Sequence, residues 1–147
     1  MDSIEVVAKI LTDGAPAPAG HYSQATVAGG HIYISGQLPI RPDGTAAPDG
    51  SFDAQATLAI KNMLAILAAA GGTPQQLVRV TAYIVGVANW PRFNAIYATL
   101  LPDVRPARTV VPVPELHYGF LVEIDAIAIL RTAGNVSRNQ HDDLGEG

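Results

Sequence analysis

The chain has 147 residues, of which 48% are hydrophobic and 15% charged, with a net charge of −4 and no cysteine. This length suits one domain with a substantial core, and the apolar content argues against a disordered chain. The lack of cysteine excludes disulfides, thiolate metal sites and cysteine nucleophiles, while an acidic chain without a Lys/Arg run disfavours nucleic-acid binding.

The amino-terminal part predicts three strands over residues 4–11, 23–28 and 31–35, with Gly29-Gly30 as a tight turn and Gly36 ending the third strand. The Pro- and Gly-rich stretch 39–50 predicts an exposed loop. The first eleven residues lack the basic and long apolar regions of a signal peptide, and no stretch reaches the roughly 18 apolar residues of a membrane span. A cytoplasmic protein is expected, without a membrane partner.

Helical periodicity over residues 53–70 predicts a long helix, with Ser51 or Asp53 as its cap and Gly71-Gly72 as its stop. Residues 77–87 predict a strand with Val78, Val80, Ala82 and Ile84 on one face. A second helix is predicted from Asn89, its candidate N-cap, with Pro91 in the first turn. Two further strands are predicted over residues 108–113 and 121–130.

The resulting order β-β-β-α-β-α-β-β predicts an α/β fold, a two-layer sandwich of one sheet with both helices on one face. The second face would carry Tyr33, Tyr83, Ile127 and Ile129, which are too apolar for water. Self-association through this face is therefore expected. Residues 1–131 are predicted to form the single domain and residues 132–147 a disordered tail.

Common catalytic motifs are missing from the sequence. None of its four histidines has a spacing typical of metal ligands, so no metal site is expected. His141 lies in the predicted tail and His31 opens a strand, whereas His21 and His117 lie in loops and could line a site. Ser35 has no evident His and Asp partners for a nucleophile.

Arg108 is the first of two features that indicate chemistry. It opens an otherwise apolar strand, where a guanidinium needs a partner. The planar fork of arginine suits a carboxylate held by two hydrogen bonds. That carboxylate could belong to an acid of the same fold or to a ligand, and the residues alone leave both open.

Glu123 and Asp125 are the second feature. At positions i and i+2 of one strand, their side chains project from the same face. One of them could have a raised pKa and act as a general acid or base. Alternatively, the pair faces solvent or binds Arg79 or Arg131.

Three segments together resemble the Rid (YjgF-type) family, in the right order and spacing over residues 15–131. The first is APAGHYSQATVAGGHIYISGQ at 17–37, the second RPARTVVPVPEL at 105–116 and the third VEIDAIAIL at 122–130. The resemblance implies a chorismate-mutase-like fold and a homotrimer with active sites in the clefts between subunits. It further implies hydrolysis of reactive enamine and imine acids, such as 2-aminoacrylate and 2-iminobutanoate, to 2-keto acids and ammonia without a cofactor or metal.

The resemblance also implies site residues. Arg108 would bind the substrate carboxylate, Glu123 would position or activate water, and Tyr22 would form a hydrogen bond from the site wall. Gly36 would offer backbone contacts and Asn94 would lie near the cleft.

Two positions depart from the family pattern. Val110 stands where the family often has cysteine, which excludes regulation through a thiol but leaves main-chain contacts to the substrate. His21 stands where the first motif usually has proline, at the rim of the cleft, and could alter substrate preference.

Three other functions remain open at this stage. One is a pathway-specific deaminase acting on aminomuconate-like products. Another is a non-catalytic trimer that binds small carboxylates or acts as a chaperone, which would need only Arg108. The third is a ribonuclease, an activity ascribed to some relatives, which the acidic balance of this chain disfavours.

Overall fold

A computed structural model describes residues 6–46 and 50–130 of the chain. These residues form one six-stranded sheet and two α-helices. The strands are β1 Ala8–Ile10, β2 Ala25–Ala28, β3 His31–Gln37, β4 Leu77–Val85, β5 Ala107–Val113 and β6 Val122–Ile129. The helices are α1 Phe52–Ala69 and α2 Trp90–Leu100.

The sheet has the strand order β1-β2-β3-β6-β4-β5. Its neighbouring strands are antiparallel except for β4 and β5, which are parallel and joined through α2. Both β3 and β4 run antiparallel to β6, so α1 connects two strands of the same direction across the width of β6. The mixed sheet places β5 at one edge.

The core lies between the sheet and the helices. Alternate side chains of β6 are buried, and α1 packs on β3 and β6 as well as on α2. Val80, Ala82 and Ile84 of β4 are fully buried on the same side, together with Phe93 of α2. The predicted fold class, a two-layer α/β sandwich with both helices on one face, is confirmed.

Most strand ends differ from the sequence prediction. The first strand is limited to Ala8–Ile10, and β2 begins at Ala25 rather than at residue 23. Gly36 does not end β3, because a register shift between Ile34 and Gln37 inserts an extra residue and lets the strand continue. Residues 87–89 form a 3-10 turn instead of extending β4.

The face predicted for Val78 is wrong. A second register shift lies between Leu77 and Arg79, so Val78 is 40% exposed while Leu77 faces the core. Asn89 occupies the N-cap position of α2, but its side-chain amide donates to the carbonyl of Val85 instead of capping the helix. Ser51 does cap α1, since its Oγ accepts a hydrogen bond from the backbone N–H of Ala54.

Some predictions lie outside the described residues. These are the start of the first strand at residues 4–5, the tail 132–147 with His141, and Arg131 as a partner of the acidic pair. Part of the predicted exposed loop 39–50 also lies outside the described residues. Within its described part, Pro39 is buried, so the predicted exposure is wrong at this residue. In the described part of the chain, no helix is long and apolar enough to cross a membrane.

Candidate active site

Arg108 lies on the edge strand β5 and points toward the helices. Its Cα pairs with that of Val80, whose side chain is fully buried on the helix side of the sheet. Neighbouring residues in register share a face, so Arg108 emerges at the border between β5 and α2. The side chain remains partly accessible there.

Three residues of α2 hold the guanidinium of Arg108. Its Nη1 donates to Asn94 Oδ1 at 3.0 Å. Its Cζ lies 5.0 Å from the ring centroid of Tyr97 and 6.0 Å from that of Phe93, within the range of cation–π attraction. Tyr97 lies about one helical turn after Phe93 and Asn94, so the two rings and the Asn94 side chain reach the same guanidinium.

Among residues 6–46 and 50–130, no carboxylate forms a salt bridge with Arg108. The salt bridge found there joins Arg92 and Asp53 on the surface. Asn94 is neutral, so the positive charge of Arg108 is oriented but not neutralised. Of the two interpretations that the sequence left open, the geometry within this part of the chain therefore favours a ligand carboxylate.

Tyr97 is a component of this group that the sequence analysis missed. Its side chain is only 7% exposed, and its hydroxyl is buried without a hydrogen-bond partner among the described residues. Burial raises the pKa of the Tyr97 hydroxyl, and the nearby charge of Arg108 opposes this shift. The three-residue spacing of Asn94 and Tyr97 is compatible with a shared contact to Arg108. However, a position on the apolar face of the helix explains Tyr97 equally well.

Glu123 lies on the other face of the sheet, against Gly36. Its Cα pairs with that of Tyr83, which faces away from the helices. The bulge in β3 brings Gly36 beside it, and a Cβ atom at Gly36 would overlap Glu123 Oε1. The missing side chain at Gly36 therefore makes the room that the Glu123 carboxylate occupies.

The acidic pair is partly buried on this open face. Burial raises the pKa of the Glu123 carboxyl, the charge of Asp125 raises it further, and His117 partly opposes both effects. Burial also raises the pKa of Asp125, with Arg79 opposing it. Arg79 itself donates to Thr109 Oγ1 at 2.9 Å. Glu123 is the carboxyl of the pair that lies at the bulge, and its raised pKa suits a group that both accepts and donates a proton.

Tyr22 and Gly36 line one cavity of about 820 Å³, which residues of the segments 16–24, 36–46 and 117–120 enclose. The Tyr22 ring is half exposed, and its hydroxyl accepts a hydrogen bond from the backbone N–H of Ala19 at 3.3 Å. The amide of Gln24 binds the backbone at Thr12 and Pro16, which fixes the start of this wall. Tyr22 is thus presented at the cavity mouth.

The other candidate residues have simpler surroundings. Val110 is buried in the core, so only its main chain can face a ligand. Ser35 Oγ donates to the carbonyl of Ser23 at 2.6 Å, and His31 Nδ1 lies 3.0 Å from the carbonyl oxygen of Gly29. His21 is exposed, whereas His117 lines the cavity. Within the described ranges, no cluster of three His, Asp or Glu side chains could hold a metal ion.

The structure thus sorts the predicted site residues into two groups. Arg108, Asn94 and Val110 lie at the β5 edge on the helix side. Tyr22, Gly36 and Glu123 lie at or beside the cavity on the opposite side of the sheet. One chain does not bring the cation and the acid into the same pocket.

The sequence model described as Endoribonuclease L-PSP matches residues 12–130. A RutC family protein of Pyrococcus horikoshii is 38% identical over 119 residues, which cover 81% of this chain and 94% of the relative.

Two solved structures have closely similar folds. The Rid family protein YyfA of Yersinia pestis is 38% identical with a TM-score of 0.81, over 84% of this chain and 99% of that one. Escherichia coli TdcF, solved with bound serine, is 30% identical with a TM-score of 0.79, over 85% and 99% of the two chains.

Proposed function

We propose that this chain, which belongs to the Endoribonuclease L-PSP (Rid) family, hydrolyses reactive 2-enamino and 2-imino acids to 2-keto acids and ammonia. The observation that carries the proposal is the state of Arg108. Asn94 and Tyr97 orient its guanidinium, and no carboxylate of the described residues neutralises it. A guanidinium held in this way suits the carboxylate of a small acid. The serine bound to TdcF is an acid of this kind.

The complete site is assembled from two copies of the chain. Arg108 and Glu123 point to opposite sides of one sheet, so a substrate that reaches both needs the Arg108 of one copy and the Glu123 of another. The open sheet face supports association, because Tyr33 is 45% exposed there and Ile127 and Ile129 are only half-buried. A closed ring of three copies, as the family resemblance implies, gives three equivalent sites.

The reaction needs only water and proton transfer. The enamine takes a proton at carbon and becomes an iminium. The oxygen of water then adds to the imine carbon and loses a proton, and the resulting carbinolamine transfers a proton to its nitrogen. Finally the carbon–nitrogen bond breaks, ammonia leaves and the carbonyl forms, so imine and water give keto acid and ammonia.

Each site residue has a role in these steps. Arg108 fixes the substrate carboxylate and thereby the position of the imine carbon. Glu123, with its raised pKa, accepts the proton of the attacking water and returns it to the leaving nitrogen. Tyr22 donates a hydrogen bond from the cavity wall, and the main chain at Gly36 and Val110 contributes contacts. These steps need no cofactor or metal.

The test follows the decay of an imino acid. A pyridoxal-phosphate dehydratase acting on serine or threonine releases 2-aminoacrylate or 2-iminobutanoate, and semicarbazide traps the portion that remains. We expect the wild type to accelerate the decay and Arg108→Ala to lower kcat/KM roughly ten- to hundred-fold. Arg105→Ala is the matched control, because Arg105 is an exposed arginine just before the same strand.

Two results would contradict the proposal. No acceleration by the wild type on any imino acid would leave a carboxylate-binding or chaperone-like trimer as the function. Equal activity of the wild type and Arg108→Ala would show that Arg108 does not bind the substrate. A preference for an aminomuconate-like product over 2-imino acids would instead identify a pathway-specific deaminase.

A further inference from the structure

The loop between β5 and β6 carries an aromatic cluster at the cavity that holds Tyr22 and Gly36. The ring centroids of His117 and Tyr118 are 3.7 Å apart, and the Tyr118 ring meets the Phe120 ring edge to face at 6.1 Å. All three residues line the cavity. Gly36, which the Glu123 carboxylate contacts, lines the same cavity, so the cluster lies close to the proposed catalytic residue.

Tyr118 is held in an unusual position. Its φ of 59° and ψ of 17° are left-handed, and among residues 6–46 and 50–130 it is the one non-glycine residue with positive φ. Its side chain is nevertheless 71% exposed. A bulky residue in this conformation costs free energy, and an aromatic ring held in water contributes little to folding. Both features are expected of a residue that is retained for contact with a ligand.

The cavity is large and mainly apolar for a small imino acid. Beyond the aromatic cluster, its walls include Ala17, Leu38 and Ile40. In the single chain this open cavity has a volume of about 820 Å³, far more than a three-carbon imino acid needs. A substrate anchored at its carboxylate would therefore leave this space to its side chain.

We propose that the site prefers 2-imino acids with an aromatic side chain and that Tyr118 is the residue that determines this preference. The inference rests on the proposed hydrolase function. The substrate side chain stacks against the Tyr118 ring, with Phe120 and the aliphatic wall behind it. The imine carbon remains beside Glu123, so the reaction is the hydrolysis described above.

The experiment compares two substrates on the intact full-length protein. An L-amino acid oxidase generates the imino acids of phenylalanine and alanine, and semicarbazide trapping gives kcat/KM for each. The readout is the ratio of the two kcat/KM values. We expect a wild-type ratio above one and a roughly ten-fold lower ratio in Tyr118→Gly, because aromatic contact and apolar burial of the substrate side chain are lost.

The variants separate the ring from the backbone. Glycine adopts positive φ without strain, so Tyr118→Gly removes the ring and leaves the loop conformation accessible. Tyr118→Asn tests the same loss with a residue that also tolerates this conformation, should the glycine variant fold poorly. Tyr118→Phe keeps the ring, and we expect its ratio to stay within about two-fold of the wild type.

The outcomes distinguish this inference from the function on which it rests. A wild-type ratio at or below one, or an unchanged ratio in both Tyr118→Gly and Tyr118→Asn, would overturn the aromatic preference while hydrolysis stands. Absence of hydrolysis with both substrates and with 2-iminobutanoate would overturn the proposed function itself.

Discussion

Arg108 and Glu123 project from opposite faces of the same sheet, three residues apart in their pairing with β4. Arg108 pairs with Val80, which is buried under the helices, and Glu123 pairs with Tyr83 on the open face. A single chain therefore presents the two halves of the proposed site separately. Under the proposed function, hydrolysis requires the assembly of at least two copies.

Asn94 is expected to position Arg108 through the hydrogen bond to Nη1. Asn94→Ala should lower kcat/KM for imino acids roughly five- to ten-fold, because the guanidinium loses its only side-chain acceptor among the described residues. Asn94→Asp should be worse than Asn94→Ala, since its carboxylate competes with the substrate for Arg108. Steady-state kinetics on 2-iminobutanoate would show whether kcat/KM falls from the wild type to Asn94→Ala and further to Asn94→Asp.

Thr99→Ala is the control for the Asn94 variants. Thr99 lies exposed on the same helix, and its hydroxyl donates to the carbonyl of Ala95 within that helix. Its activity should match the wild type. An Asn94→Asp enzyme as active as Asn94→Ala would mean that Arg108 does not bind the substrate carboxylate.

Asp125 is expected to tune the acid limb of the activity profile. Its charge raises the pKa of Glu123, so Asp125→Asn lowers that pKa and should move the acid limb of the kcat/KM profile to lower pH. The measurement is kcat/KM for the wild type and the variant across the acidic range. A limb that stays in place would contradict the role of Glu123 as the titrating base.

Thermal unfolding tests the raised pKa values of Glu123 and Asp125 independently of activity. Burial raises the pKa of both carboxyls, so the folded chain holds more protons than the unfolded chain between the ordinary and the raised values. Their contribution to stability is present below the ordinary carboxyl range and is lost as the pH rises through the raised values. Asp125→Asn should therefore gain stability relative to the wild type as the pH rises through this window.

Gly36 is expected to be essential for the position of the Glu123 carboxylate. The new Cβ in Gly36→Ala would overlap Glu123 Oε1 and displace it, so kcat should fall roughly ten-fold or more. Gly14→Ala is a matched control, because the nearest atom to its new Cβ is Thr12 Oγ1 at an ordinary 3.4 Å. Wild-type kcat in Gly36→Ala, with the fold intact by circular dichroism, would argue against a catalytic Glu123.

Gln24 is expected to stabilise the cavity wall. Its buried amide accepts from Thr12 N–H and donates to the carbonyls of Thr12 and Pro16. Gln24→Leu leaves these groups without partners and should lower the free energy of unfolding by about 2–4 kcal/mol. Gln76→Leu, which loses exposed hydrogen bonds to Thr73, should cost about 1 kcal/mol or less. Equal losses in chemical denaturation would contradict the prediction.

The sequence sufficed for the order of the elements and for the fold class, because α1 and β6 carry clear helical and alternating periodicity. It failed where pairing between strands decides the geometry. The bulges at Gly36 and Val78 depend on the register with β6, and the side chain of Asn89 bonds back to β4. None of these contacts changes the local periodicity of the sequence, so the sequence alone does not predict them.

The candidate site shows the same division. The odd charge in an apolar strand singled out Arg108, and the i, i+2 spacing singled out Glu123 with Asp125. The roles of Tyr97 and Tyr118 were not predicted, since one looks like an ordinary core residue and the other acquires its position from a left-handed turn. Only the strand register shows that the residues around Arg108 and those around Glu123 lie on opposite sides of the sheet.

Subunit complementation tests the composite site most directly. Arg108→Ala and Glu123→Ala chains carrying different tags are co-expressed, and the mixed trimers are isolated through both tags. If each site takes Arg108 from one copy and Glu123 from the next, every mixed ring contains one intact site, and about one third of the wild-type rate of imino acid hydrolysis should return. Mixed trimers no more active than the two parent variants would contradict the account.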